Sequence, residues 1–168
     1  MKETELDIRM VKVEEVESLT RLYRWEIFRL TGSASEVKVG LKVHLETIPR
    51  FQKVKLRLCA TYTRERGMVL RPLLDYVVDV EFEIDEYQRH FGADAGHGDA
   101  FDFPPSVLTM MLGVGVGAMR GMIALRTKGT PLADKPLPLI NISSLVSRLI
   151  YSSPCDENTY PLSALVCG

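Results

Sequence analysis

The chain predicts an α+β domain in which an antiparallel sheet is laid down first and two helices follow it. Three observations predict this class. The first half alternates apolar and polar residues with period two in three separate stretches, a glycine-laced apolar run follows Pro104-Pro105, and a proline-framed segment then leads into a short amphipathic stretch. At 168 residues, one domain can bury most of its apolar surface without a metal or disulfide staple. A single domain is expected over 1–151, with residues 152–168 as a partly disordered tail lacking a clean period.

Taken in order, residues 6–13 read as a weak strand, and Glu14-Glu15-Val16-Glu17-Ser18 as either a bend or a break in one long strand. Residues 21–30 are strand-like with apolar groups on both faces, Tyr23, Trp25 and Ile27 against Leu22, Phe28 and Leu30. Such a strand suits cover on both sides or a place at an interface. Residues 36–46, 53–62 and 76–85 each carry one apolar and one wet face, the pattern of half-buried antiparallel strands. A sheet of four or five strands results, with turns at Thr31-Gly32-Ser33, Ile48-Pro49-Arg50 and Arg64-Glu65-Arg66-Gly67.

The outward charges of two strands are opposite. Lys53, Lys55 and Arg57 are basic, and Asp79, Glu81 and Glu83 are acidic. Pairing them as neighbours sets opposite charges across the ladder, each pair contributing roughly 0.2 to 1 kcal/mol, which predicts a hairpin through residues 67–72. The connector that follows holds His90, Asp94, His97, Asp99 and Asp102 among glycines. Imidazole and carboxylate together can bind a metal, yet the spacing matches no ligand pattern, so a solvated connector and no metal site are expected.

Asp102 is placed to cap a helix with Pro104 and Pro105 in its first turn, where missing amide donors cost least. The helix is expected to run to about Lys128 and end at Gly129. Gly113, Gly117 and Gly121 recur every four residues and form one stripe, which predicts close helix packing within the subunit or between subunits. Gly113-Val114-Gly115-Val116-Gly117-Ala118 also satisfies a dinucleotide pattern, but no strand precedes it and no βαβ repeat follows. The uncharged run 106–119 falls short of about 20 residues and Arg120 interrupts the apolar stretch, so no membrane span is expected. Beyond Gly129, Pro131, Pro136 and Pro138 hold a lid extended, and Asn141 or Ser143 can cap a final helix carrying Leu145, Val146, Leu149 and Ile150.

Charge and cysteine content narrow the function. Twenty-one basic and 22 acidic residues leave a net charge of −1, which gives no global field for nucleic acid or an anionic membrane. Cys59, Cys155 and Cys167 are odd in number, lack CxxC spacing and accompany a charged start without an apolar leader, so reduced thiols and a cytoplasmic location are expected. His44, His90 and His97 adjoin no plausible nucleophile, and Cys59 has basic neighbours but no base. No catalytic centre and no cofactor are expected.

The order of sheet, long helix with Ala118-x-Arg120, Lys128-Gly129-Thr130 turn, and lid Leu137-Pro138-Leu139-Ile140-Asn141 leading to a second helix resembles the SecB-like export chaperones. The resemblance spans residues 7–151 and is strongest over 114–146. It implies a four-stranded antiparallel sheet with two helices on one side, a homotetramer built as a dimer of dimers, and ATP-independent holding of unfolded polypeptide in apolar grooves. Client contacts would come from Trp25, Phe28, Phe101, Phe103, Leu137, Leu139 and Ile140. Val77-x-Asp79, with Glu81 and Glu83, sits where the family docks on the SecA motor in protein export, although the tail does not look like the family's motor-binding tail. The competing expectation is a SecB-like oligomer dedicated to one partner, such as an antitoxin, or serving only in assembly.

Overall fold

A computed structural model describes residues 7–20, 37–66, 69–85, 103–151 and 159–161. Four long strands, β1 (Ile8–Thr20), β2 (Val37–Ile48), β3 (Lys53–Arg66) and β4 (Val69–Ile84), are followed by helices α1 (Pro105–Arg126) and α2 (Ile142–Tyr151) and a three-residue strand β5 (Thr159–Pro161). The α+β class and the antiparallel sheet match the expectation. Strand order is β1-β4-β3-β2-β5, with every pairing antiparallel. The fifth strand comes from the tail and pairs Thr159, Tyr160 and Pro161 with Lys42, Leu41 and Gly40. Residues 21–30, expected to be strand-like, lie outside the described residues.

The alternation decides which side of the sheet is covered. Leu41 and Val43 of β2, Val54, Leu56, Leu58, Ala60 and Tyr62 of β3, and Tyr76, Val78, Val80, Phe82 and Ile84 of β4 are all buried and form one core with both helices. A register shift near Tyr62 leaves Leu73 without a partner opposite, between the Thr63–Pro72 and Tyr62–Leu74 pairs. That bulge accommodates Pro72 in the ladder and lets both Leu73 and Leu74 be buried. Strands β2 and β3 are joined through a single 3-10 turn, Pro49–Phe51, and Gln52, whose φ of 53° lies in the left-handed region. Its carbonyl accepts a hydrogen bond from the Ile84 amide at 2.9 Å, which ties the turn to β4.

Strand β1 is a single element, so Glu14–Ser18 is a bend and not a break. Register shifts at Val11 and Val16 pass both side chains out of the pairing, and both are exposed. They also set Glu15 on the same face as Val13, toward the helices. There Glu15 accepts two hydrogen bonds from Arg126, at 2.8 Å from Nε and 2.6 Å from Nη2, and one from the Tyr76 hydroxyl. The last turn of α1 is thereby fastened to the edge strand.

Helix α1 buries Val107, Leu108, Met111, Leu112, Gly115, Val116, Met119 and Ile123, a stripe with three- and four-residue spacing. It begins after Pro104, which makes no side-chain cap; its carbonyl accepts from the amides of Val107 and Leu108. Asp102, the expected cap, lies outside the described residues. The helix ends at Arg126, two residues before the expected end, because Thr127 closes it by donating its amide and hydroxyl to the Ile123 carbonyl. Gly129, with φ of 77°, then turns the chain as expected.

The glycine stripe takes a different place from close packing within the subunit. Among the described residues, a Cβ built on Gly113, Gly117 or Gly121 meets nothing within 4 Å, because these residues lie opposite the buried stripe. The glycine that brings helix and sheet together is Gly115, where a Cβ would lie 2.7 Å from Leu56 Cδ2 and 3.1 Å from Leu58 Cδ1.

Candidate functional site

The proline-framed segment and the helix that carries Arg120 form the most specific polar arrangement on the covered face. After α1, Thr130 folds the chain over: its amide and hydroxyl donate to the Thr127 carbonyl, and its Oγ1 accepts from the Leu132 amide at 3.2 Å. This turn drops Leu132 into the core. Amides of Ala133 and Lys135 donate to the carbonyls of Thr130 and Leu132 and continue the turn as far as Pro136.

From Pro136 to Asn141 the chain has no regular secondary structure. Pro136 and Pro138 fix their own φ near −65°, and each disfavours helical geometry in the residue before it, so the strap stays open. Leu137 turns inward and is only 2% exposed, Leu139 points away at 78%, and Ile140 is half-buried against the core. Asn141 ends the strap as expected: its Oδ1 accepts from the Ser144 amide at 3.0 Å and caps α2.

Arg120 holds this strap by its backbone. Nε donates to the Leu137 carbonyl at 3.0 Å and Nη2 to the Pro138 carbonyl at 2.5 Å. A guanidinium offers its donors in a fixed fork, which suits two successive carbonyls of an open chain. Tyr62, on β3, is fully buried, and its hydroxyl has no hydrogen-bond partner among the described residues. Burial pushes the phenol up to about 12, and the positive charge of Arg120 opposes part of that rise.

Of the expected client-contact residues, Trp25, Phe28 and Phe101 lie outside the described residues. Phe103 and Leu137 are buried in the core, Ile140 packs at its margin, and Leu139 alone among those described is fully presented to solvent. Apolar exposure is larger on the outward side of α1, where Met110, Val114 and Leu125 flank Gly113, Gly117 and Gly121; Leu125 is 74% exposed.

The expected docking residues fall on the face of the sheet away from the two helices. The register opposes Lys53 to Glu83, Lys55 to Glu81 and Arg57 to Asp79, the neighbour pairing that their charges predict. Asp79 is 6% exposed and accepts from Arg57 Nε and Nη2, both at 2.7 Å, with Lys55 Nζ at 3.0 Å. Those bonds hold its carboxyl below the usual range. Lys53 Nζ lies 3.5 Å from Glu81, and Val77, opposite Cys59, is half-buried. Burial pushes the Cys59 thiol up, which disfavours the reactive thiolate.

Among the described residues no three His, Cys, Asp or Glu side chains are grouped as metal ligands; His90, His97 and the aspartates beside them lie outside those residues. Helix α1 is long and apolar enough, by length and composition, to cross a membrane, although its Leu108–Ile123 stripe is spent on the sheet. Arg120's link to the strap was the residue-level feature hardest to read from sequence; its one signal was a lone charge inside an apolar helix. Comparison with models of protein families gives no match, and comparison with curated proteins gives none either.

Proposed function

We propose that this chain is a SecB-like, ATP-independent binding protein for unfolded polypeptide, acting in the cytoplasm as a homo-oligomer. The observation that carries the reading is apolar surface left in solvent on two adjoining elements, Leu139 on the strap and Met110, Val114 and Leu125 on α1. Apolar side chains held in solvent on a folded protein are candidates for cover by another chain, here a client at the strap and a second copy at α1.

The outward side of α1 is assigned to contact between subunits, since Gly113, Gly117 and Gly121 allow another helix backbone to approach closely. The strap side is assigned to clients. The reading gives the chain no catalytic centre and no cofactor. Coupling to export through the SecA motor, which the same resemblance implies, would require that partner to compete with Arg57 and Lys55 for Asp79.

The test is suppression of aggregation of two unrelated unfolded proteins without nucleotide, with oligomer mass read by light scattering on the same sample. Protection of both by a dimer or tetramer is expected. Protection of neither removes the general holding function and leaves a dedicated-partner or assembly role.

A further inference from the structure

We infer that residues 137–140 occupy, in cis, a polypeptide-backbone site formed by Arg120 and the recess that takes Leu137, and that an extended apolar segment of another chain binds by replacing them. This inference rests on the polypeptide-binding reading and adds to it a location, a mode of recognition and a closed resting state.

Two features of the strap support it. Its hold is directed at main chain: Arg120 bonds the carbonyls of Leu137 and Pro138, groups that any polypeptide presents. Its side-chain contribution is one inserted leucine and an isoleucine half-buried at the core margin, with a proline and an exposed leucine between them, so the recess selects apolar residues and little else.

A closed resting state lowers the apparent affinity by the fraction of molecules whose strap is open. Loosening the strap while leaving Arg120 intact should therefore tighten binding. Removing Arg120 should weaken it, even where the strap is looser.

The probe is a labelled, end-capped synthetic peptide of residues 135–142, added in trans and followed by fluorescence anisotropy. Leu137→Ser should bind it about tenfold more tightly than the unaltered chain, and Pro138→Gly, which keeps the buried leucine, about threefold more tightly. Adding Arg120→Met to either should cost at least about tenfold.

An unfolded protein is then added as competitor. Displacement of the peptide supports both the site and the client class. Peptide binding that depends on Arg120, with no binding or competition by the unfolded protein, keeps the site and overturns the holding function. Binding of the unfolded protein that ignores Arg120 and the peptide keeps that function and overturns the site. Equal peptide affinity in all variants, or none at millimolar concentration, overturns the cis-occupant inference outright.

Discussion

Adding one methyl group at Gly115 probes how closely the long helix approaches the sheet. An alanine Cβ there would lie 2.7 Å from Leu56 Cδ2, 3.1 Å from Leu58 Cδ1 and 3.8 Å from Val80 Cγ2. Carbon pairs prefer separations of about 3.5 to 4.0 Å, so the first contact forces a shift. Leu56 and Leu58 are both fully buried and have packed neighbours on every side. Overpacking of this kind costs about 1 to 3 kcal/mol. Alanine in a helix interior returns about 1 kcal/mol over glycine. Taking the middle of the first range, Gly115→Ala should destabilise the fold by about 1 kcal/mol, or roughly 2 to 4 °C for a chain of this size. In a Leu56→Ala background the obstructing carbon is gone, and the same substitution should stabilise by about 1 kcal/mol. The coupling between the two sites is then about 2 kcal/mol. Urea unfolding of the four chains at one fixed protein concentration, followed by circular dichroism, measures it. A Gly115→Ala chain more stable than its parent, or an effect equal in both backgrounds, would refute the close-approach reasoning.

Asp79→Asn should cost about 2 kcal/mol, since it strips charge from two short guanidinium bonds at a buried carboxylate; the coupling to Arg57 should be nearer 1 kcal/mol because that side chain is half exposed, and a zero coupling in a double-mutant cycle would remove the pair from the account. Acid stability follows from two carboxyls whose folded values are depressed, Glu15 mainly by its hydrogen bonds from Arg126 and Asp79 mainly by those from Arg57. Their contribution is present above the ordinary values of 4.5 and 3.8 and is lost as pH falls through the lower folded ones, so stability should drop below about pH 4.5 and not near neutrality. Tyr62 and Tyr76 behave in the opposite sense: raised from 10 to about 12, chiefly by burial, they contribute fully below 10 and lose that contribution as pH rises toward 12, which urea titrations across pH would record. Gly117→Leu should lower the oligomer mass in light scattering without weakening the subunit, as none of the described residues lies within 4 Å of a Cβ at that position; an unchanged mass would remove the outward helix face from assembly.

The sheet was legible wherever side chains report on their neighbours. Opposite signs on Lys53, Lys55, Arg57 and on Asp79, Glu81, Glu83 predicted both the hairpin and its partners, because register places those charges across from one another. Asn141 was legible as a cap for the same local reason. Glycine was harder to read. A four-residue repeat draws attention to Gly113, Gly117 and Gly121, but close approach depends on phase relative to the apolar stripe, and Gly115 alone shares the face of Leu108, Met111, Leu112 and Met119. That phase was present in the sequence and would have separated the two sets.

Long-range geometry accounts for the rest. The bulges at Val11 and Val16 turn Glu15 toward Arg126, a contact that no local pattern foretells. Strand β5 is three residues long, too short to carry a period, and exists because β2 offers an edge. Arg120 reaches the strap 17 residues away through backbone carbonyls, so the identity of its partners leaves no mark on the sequence.

The most direct measurement is calorimetric titration of the intact protein with a permanently unfolded polypeptide, without nucleotide, at two temperatures. The account predicts saturable binding with a negative heat-capacity change, the sign of apolar surface leaving water. No binding at tens of micromolar, or binding to one dedicated partner and to no unrelated unfolded chain, would contradict it.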